Sequence, residues 1–295
     1  MTGLPFFIVD VFTEKKYAGN QLGVFPKAAG LSAVHMQQLA KEMNYSETTF
    51  VLSSEPRDGG YDVRIFTPDR EISFAGHPTL GTAFIVQQEI IAQPVDRVAL
   101  NLKIGQIPVT FSYGQEGPEN LWMQQQEPNF GSQIAAESIS KSLRLQETEL
   151  DERYPIEEVS TGLPFIIVPL KTLDSLKRIQ ADRDACLRLV ENLNAKAILV
   201  FCPQTHFEKN DLCVRVFAHY YGVAEDPATG SANGCLAAYL AKHRYFDQGH
   251  IDIRVEQGYE IGRPSLLLLK TEDSAGKINV YVGGKVMEVA EGSFV

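Results

Sequence analysis

The sequence predicts an α+β protein made of two pseudo-symmetric half-domains, each a rolled mixed β-sheet around a central buried α-helix. Three observations predict it. A segment recurs half-way along the chain, where His77-Pro78-Thr79-Leu80-Gly81-Thr82-Ala83 aligns with Asp226-Pro227-Ala228-Thr229-Gly230-Ser231-Ala232 at a constant offset of 149 residues. Upstream of each copy stands a similar strand-like tetrapeptide, Val63-Arg64-Ile65-Phe66 and Val214-Arg215-Val216-Phe217, at an offset of 151. Ordered matches at nearly one offset point to duplication. Downstream, Leu80 and Ala83 to Val86 in one copy and Cys235 to Leu240 in the other leave little polar face. A helix apolar all round and surrounded by strands belongs inside a rolled sheet.

The elements follow in order. Phe6 to Phe12 is strand-like, then comes a polar loop from Thr13 to Gln21 and a short apolar run from Leu22 to Phe25. Ser32 suits the N-cap of a helix whose apolar positions are Val34, Leu39 and Met43. Thr48 to Leu52 and the alternating Tyr61 to Thr67 read as strands, as does Val98 to Tyr113 with a turn near Gly105. From Gly131 to Glu158 the Ser, Gln and Glu content suggests a helix plus loops at the half-way crossover. Strands resume at Phe165 to Leu170, Ala197 to Phe201 and Leu212 to Ala218, with a helix around Asp182 to Leu193. The expected division is an N-terminal half over 1–122, joined by a C-terminal strand near 281–295, and a C-terminal half over 123–280. A second echo, Thr2-Gly3-Leu4-Pro5-Phe6 with Thr161-Gly162-Leu163-Pro164-Phe165, lies at an offset of 159.

Composition narrows the function. With 44% apolar and 22% charged residues the chain is globular, and a net charge of −10 without any basic run argues against nucleic acid as a partner. Cys186, Cys202, Cys213 and Cys235 show neither C-x-x-C spacing nor a disulfide framework, which fits a reducing compartment. The opening residues read as a first strand and not a signal peptide, and no apolar run reaches the ~18 residues of a membrane helix. A cytoplasmic protein with no membrane partner is expected. The six histidines have no metal-binding spacing, and no dinucleotide, P-loop or nucleophile-elbow motif is present, so no cofactor and no metal are expected.

What remains is the duplicated helix start. Each copy has a Pro just inside a helix N-terminus, where its missing N–H costs nothing. The free N–H groups of a buried helix end suit an anion, and two such ends facing each other would hold a substrate carboxylate or a developing enolate. Asp226 and Pro227 also suit an ordinary N-cap and first-turn pair, whereas His77 is a poor cap. Thr82, Thr229 and Ser231 suit first-turn hydroxyls bonding their own backbone. Glu47, at the mouth of a strand, is either a solvated carboxylate or a general acid/base whose pKa Tyr45 and Phe50 would raise. Trp122 reads as core or interface packing.

Taken together, Asn20 in Ala18-Gly19-Asn20-Gln21-Leu22, the segment Ser46-Glu47-Thr48, and the segments Phe74 to Gly81 and Gly222 to Ala232 resemble the signature set of the phenazine biosynthesis-like (PhzF-like) family over essentially the whole chain. The resemblance implies the diaminopimelate epimerase-like fold with the catalytic pocket between the halves. Epimerases of that fold use two cysteines at the helix starts; here Ala75-Gly76-His77 and Asp226-Pro227-Ala228 stand there, which excludes two-thiol racemisation. By the same resemblance the chain is a cofactor-independent isomerase that moves a proton on a small cyclic or unsaturated amino or hydroxy carboxylate, as in isomerisation of trans-2,3-dihydro-3-hydroxyanthranilate. Glu47 is then the acid/base. His77 and Asp226 hold and polarise ring substituents, Gly230 and Ser231 bind the carboxylate, and Asn20, Gly76 and Thr229 complete the substrate-binding set. The resemblance also implies a homodimer. The alternative is a non-catalytic binding module for a small acid or a protein on the same fold.

Overall fold

The computed structural model describes residues 3–115, 117–274 and 277–295, and the side chains of all of these except Asp273 and Ser274. In chain order the elements are β1 (Leu4–Val11), β2 (Asn20–Phe25), α1 (Ala33–Met43), β3 (Glu47–Val51), β4 (Tyr61–Phe66), β5 (Glu71–Ile72), α2 (Gly76–Ile85), β6 (Arg97–Leu102), β7 (Gly105–Gly114) and β8 (Gly117–Gln124). There follow β9 (Asn129–Gln133), α3 (Ala136–Leu143), β10 (Glu157–Ser160), β11 (Pro164–Pro169), α4 (Leu173–Arg178), α5 (Arg183–Val190), β12 (Ile198–Cys202) and β13 (Leu212–Ala218). Last come β14 (Val223–Asp226), α6 (Gly230–Lys242), β15 (Ile251–Gln257), β16 (Ser265–Ser274), β17 (Lys277–Gly284) and β18 (Val286–Phe294). Contacts divide the chain into a first unit, Met1–Met123 with Gly283–Val295, and a second, Gln124–Val282.

The duplication is written into strand direction. In the first unit β18 and β1 pair antiparallel, as do β1 and β2; β2 and β3 are parallel, β3 and β4 antiparallel, β4 and β6 parallel, β6 and β7 antiparallel. The second unit repeats that order through β9, β10, β11, β12, β13, β15 and β16. Short strands β5 and β14 lie antiparallel on β4 and β13 in turn. The recurring tetrapeptides occupy the same strand of each unit, and they carry the same side-chain device. Arg64 donates to Glu71 at 2.8 and 2.7 Å, and Arg215 donates to Glu225 at 2.9 and 2.7 Å. Each guanidinium also lies over the Phe two residues on, at 5.1 and 5.0 Å.

Helix α2 touches β1, β2, β3, β6, β7 and β18, and α6 touches β10, β11, β12, β15 and β16. Strands from both sides of each row thus meet one helix, so each sheet curls round its own. Both helices are buried nearly throughout. Gly81 lets α2 approach closely, since a Cβ there would stand 2.6 Å from Leu22 Cδ2 and about 3 Å from Val11 and Val9. The outer faces of the strands are apolar too, as expected for sheets covered on both sides. In the first unit Phe25, Phe50 and Phe66 pack with Met36, Leu39 and Ala40 of α1; the Phe25 and Phe50 rings stack at 4.9 Å. In the second, strands β11 to β13 pack against α3, α4 and α5.

Several expectations need correction. Val34 is 69% exposed, and α1 faces the core through Met36, Leu39 and Ala40. Val34 lies two residues from Met36, and two steps of about 100° turn it to the far side. The crossover holds a strand, β9, as well as α3, and the sequence reading did not mark α4. In the second echo Thr2 lies outside the described residues. The rest of it joins the start of β1 to the start of β11, whose topological counterpart is β2, so that match is coincidental. Among the described residues, no helix is long and apolar enough to cross a membrane.

Candidate active site

In the first unit the parallel register of β2 and β3 sets Glu47 beside Leu22. Neighbours in register share a face, and side chains alternate along a strand, so Asn20, Leu22, Glu47 and Thr49 all lie on the face that meets α2. Asn20 is buried. Thr82 of α2 donates its hydroxyl to Thr49 at 2.8 Å, which joins helix to strand. That hydroxyl was expected to bond its own backbone; the strand is close enough to take it instead. Phe50 points the other way, into the cluster under α1, and so is not the apolar neighbour of Glu47 that the sequence suggested.

Gly76 and His77 are the first two residues of α2, and no side chain caps that end. Residue 77 therefore leaves the helix in its first turn, and its ring meets Glu47: Nε2 lies 3.4 Å from Glu47 Oε2. The separation is that of an ion pair, but the imidazole is 6% exposed. Burial lowers its pKa to about 3, against a hydrogen bond to the Gln21 backbone that favours the charged form. We therefore read the pair as a neutral imidazole against a carboxyl group. Its consequence for stability has a definite sign. The folded pKa lies below the ordinary 6.5, so between those values the unfolded chain binds the extra proton. Stability is fully present above pH 6.5 and falls as pH drops toward 3, by up to about 1.4 kcal/mol per unit. His77→Gln is expected to lose about 2 kcal/mol less than the parent between pH 7 and pH 5 in urea unfolding; equal losses would show that the fold does not lower the His77 pKa.

The second unit arranges its helix start differently. Asp226 ends β14, Thr229 is the N-cap of α6, and Gly230 and Ser231 open the helix. Pro227 thus precedes the N-cap by two residues, and Asp226 is not a cap. In the first unit the equivalent proline is already within α2. The reason is a buried amide that sequence reasoning missed. Gln257, fully buried at the end of β15, donates to the Asp226 carbonyl at 2.8 Å and to Thr229 Oγ1 at 3.0 Å, and accepts from Thr229 N–H at 3.1 Å and Asn233 at 2.9 Å. The segment is held extended until Thr229. Gly258, at φ +79°, lets the turn close, since a Cβ there would lie 2.6 Å from the Pro227 carbonyl.

Thr229 donates its hydroxyl to the Asp226 carboxylate and makes no side-chain cap. The first turn of α6 is therefore open to an external acceptor. Gly230 is buried and Ser231 half-buried. A lone buried Gln and Asn give no motif; Asn233 stands out as a polar residue in a mostly apolar helix, whereas Gln257 follows Glu256 and gives no signal. Gln257→Ala leaves the Asp226 carbonyl and the Thr229 N–H without this partner. It is expected to lower the unfolding free energy by about 1–3 kcal/mol; an unmoved urea midpoint would show that the turn holds itself.

The thiols offer no alternative bases. All four cysteines are free and buried, and burial pushes Cys235, in the middle of α6, up to about 11.

Comparison with known proteins matches this architecture. The phenazine biosynthesis-like protein family matches residues 9–292. A trans-2,3-dihydro-3-hydroxyanthranilate isomerase of Pseudomonas aeruginosa is 33% identical over 288 residues, which cover 97% of this chain and 98% of the relative. The crystal structure of a Bacillus anthracis phenazine biosynthesis protein of the PhzF family superposes with a TM-score of 0.92 at 29% identity and covers all of both chains. A probable proline racemase from Agrobacterium radiobacter, at 11% identity, shares the fold alone, with a TM-score of 0.64 over 99% of this chain and 92% of its own. With matches that run nearly end to end, this chain belongs to the phenazine biosynthesis-like family, and it is an isomerase.

Proposed function

We propose that the enzyme moves a proton along a small cyclic or unsaturated amino or hydroxy carboxylate, with Glu47 as its general acid/base. The observation that carries the reading is the contact of Glu47 with a buried, neutral His77 at 3.4 Å. A neutral imidazole does not lock the carboxylate into an ion pair, and it can still exchange a hydrogen bond with a polar substituent. In the proposed step the carboxylate takes a proton from one carbon, the electron pair shifts through the conjugated system, and the same carboxyl, its proton exchanged with solvent, delivers a proton at another carbon. Protons and electrons balance without a cofactor.

Asp226 is assigned to a second polar substituent, its orientation set by the Thr229 hydroxyl and by Gln257 holding its carbonyl. Thr229, Gly230 and Ser231 are assigned to the substrate carboxylate, for which an uncapped helix start is suited. Asn20 and Gly76 complete the proposed binding set. Support for the substrate class comes from the Pseudomonas relative, whose name specifies a dihydro-hydroxyanthranilate. A cytoplasmic homodimer is part of the same proposal.

Incubation with candidate cyclic acids in D₂O, read by mass spectrometry, tests the function. We expect one deuteron to enter the turned-over acid. Binding without exchange across trans-2,3-dihydro-3-hydroxyanthranilate and its close analogues would reject the proposed reaction and favour a binding role.

A further inference from the structure

The second unit carries a second cluster of chemically capable side chains, with no part in the proposed reaction. Strand β13 pairs in parallel with β15 so that Cys213 stands beside Glu256. Both are fully buried, and neighbours in register emerge on one face. His206, from the connection between β12 and β13, brings its ring to the same place: one ligand atom from each of His206, Cys213 and Glu256 lies within 4.8 Å of the other two.

The surroundings hold that set in position. The Glu256 carboxylate accepts from His206 N–H at 2.7 Å, Phe207 N–H at 3.0 Å and the Asn210 amide at 2.6 Å. The loop that carries the imidazole therefore also orients the carboxylate. The His206 ring stacks on Tyr259 at 4.1 Å and 9°, and its Nε2 stands 3.5 Å from Glu260. An imidazole backed by a carboxylate, beside hydrogen-bonded ligands, is the outer arrangement typical of protein metal sites.

Charge points the same way. Glu256 is a buried carboxylate that accepts from neutral donors, and Glu260, 12% exposed, has His206 as its ionic partner among the described residues. Two carboxyl groups, those of Glu256 and Glu260, thus face the same imidazole, and Glu256 faces the thiol as well.

We propose that His206, Cys213 and Glu256 form a binding site for a borderline-soft divalent cation of the zinc class. Mixed nitrogen, sulfur and oxygen ligands favour such an ion over magnesium or calcium. Binding replaces the thiol proton by the metal, so one proton is released per ion.

Cobalt(II) serves as the probe. Chelator-treated protein, kept reduced, is titrated with Co(II) and followed by absorption. One equivalent is expected to develop a near-ultraviolet thiolate-to-cobalt band, to raise the unfolding midpoint, and to be displaced by Zn(II). Cys213→Ser should abolish the band, His206→Gln should weaken affinity at least tenfold, and Cys202→Ser should leave it in place. If Cys213→Ser does not fold, the partly exposed His206 carries the test. Absence of the band in folded wild-type protein at one equivalent would overturn the proposal, as would a band untouched by His206→Gln or lost with Cys202→Ser alone.

Discussion

Glu47→Gln is expected to lower turnover by at least about 100-fold, and by up to about 10⁴-fold, which is the usual contribution of a positioned acid/base. The substitution keeps the shape of the side chain and its contact with His77 while removing the group that takes the proton. The sheet should therefore be undisturbed, because Glu47 sits at the first position of β3 and its backbone register with Leu22 does not depend on charge. Deuteron incorporation from D₂O should vanish in parallel. Turnover within about tenfold of the parent, in a variant with unchanged circular dichroism, would remove Glu47 from the mechanism.

Arg215→Ala should be the most damaging single change to stability among those considered, with a loss of about 3–5 kcal/mol. Arg215 is 7% exposed. Besides its two bonds to Glu225, its Nη1 donates to the carbonyls of Leu176, Lys177 and Ile179 at 2.9, 3.4 and 3.2 Å, at the C-terminal end of α4. Removal leaves a carboxylate with a 10% exposed side chain without this cation, and takes a donor from three carbonyls at the end of α4, of which Leu176 keeps the Ile179 N–H.

Its counterpart Arg64 gives the control. That side chain is 26% exposed, and Glu71 keeps Lys103 at 2.6 Å when Arg64 is gone. Arg64→Ala is accordingly expected to cost about 1–2 kcal/mol, between the exposed and buried limits. Urea unfolding of both variants distinguishes the cases. Equal losses would mean that burial and the α4 carbonyls add nothing to the duplicated ion pair.

The two arginines show how far a repeat can be read. Val-Arg-Ile-Phe and Val-Arg-Val-Phe align by inspection, and both form the same strand with the same ion pair. Nothing in those letters says that one guanidinium is buried at a helix end and the other is half-buried. The helix starts carry the same lesson. The aligned Pro78 and Pro227 predict equal positions, yet α2 begins before its proline and α6 after its own. The difference comes from Gln257, remote in sequence.

Read as a linear string, the chain determined its own duplication, its α+β class, the two buried helices and the family likeness. Apolar periodicity and repeated order are local properties that survive without coordinates. Tertiary structure alone decided that His77 is neutral and touches Glu47, that Phe50 turns away from it, and that Gln257 sets the start of α6. It also decided that His206, Cys213 and Glu256, without any motif spacing, come within reach of one ion. Those outcomes depend on strand register and on the exclusion of water, both of which arise between segments far apart in the chain.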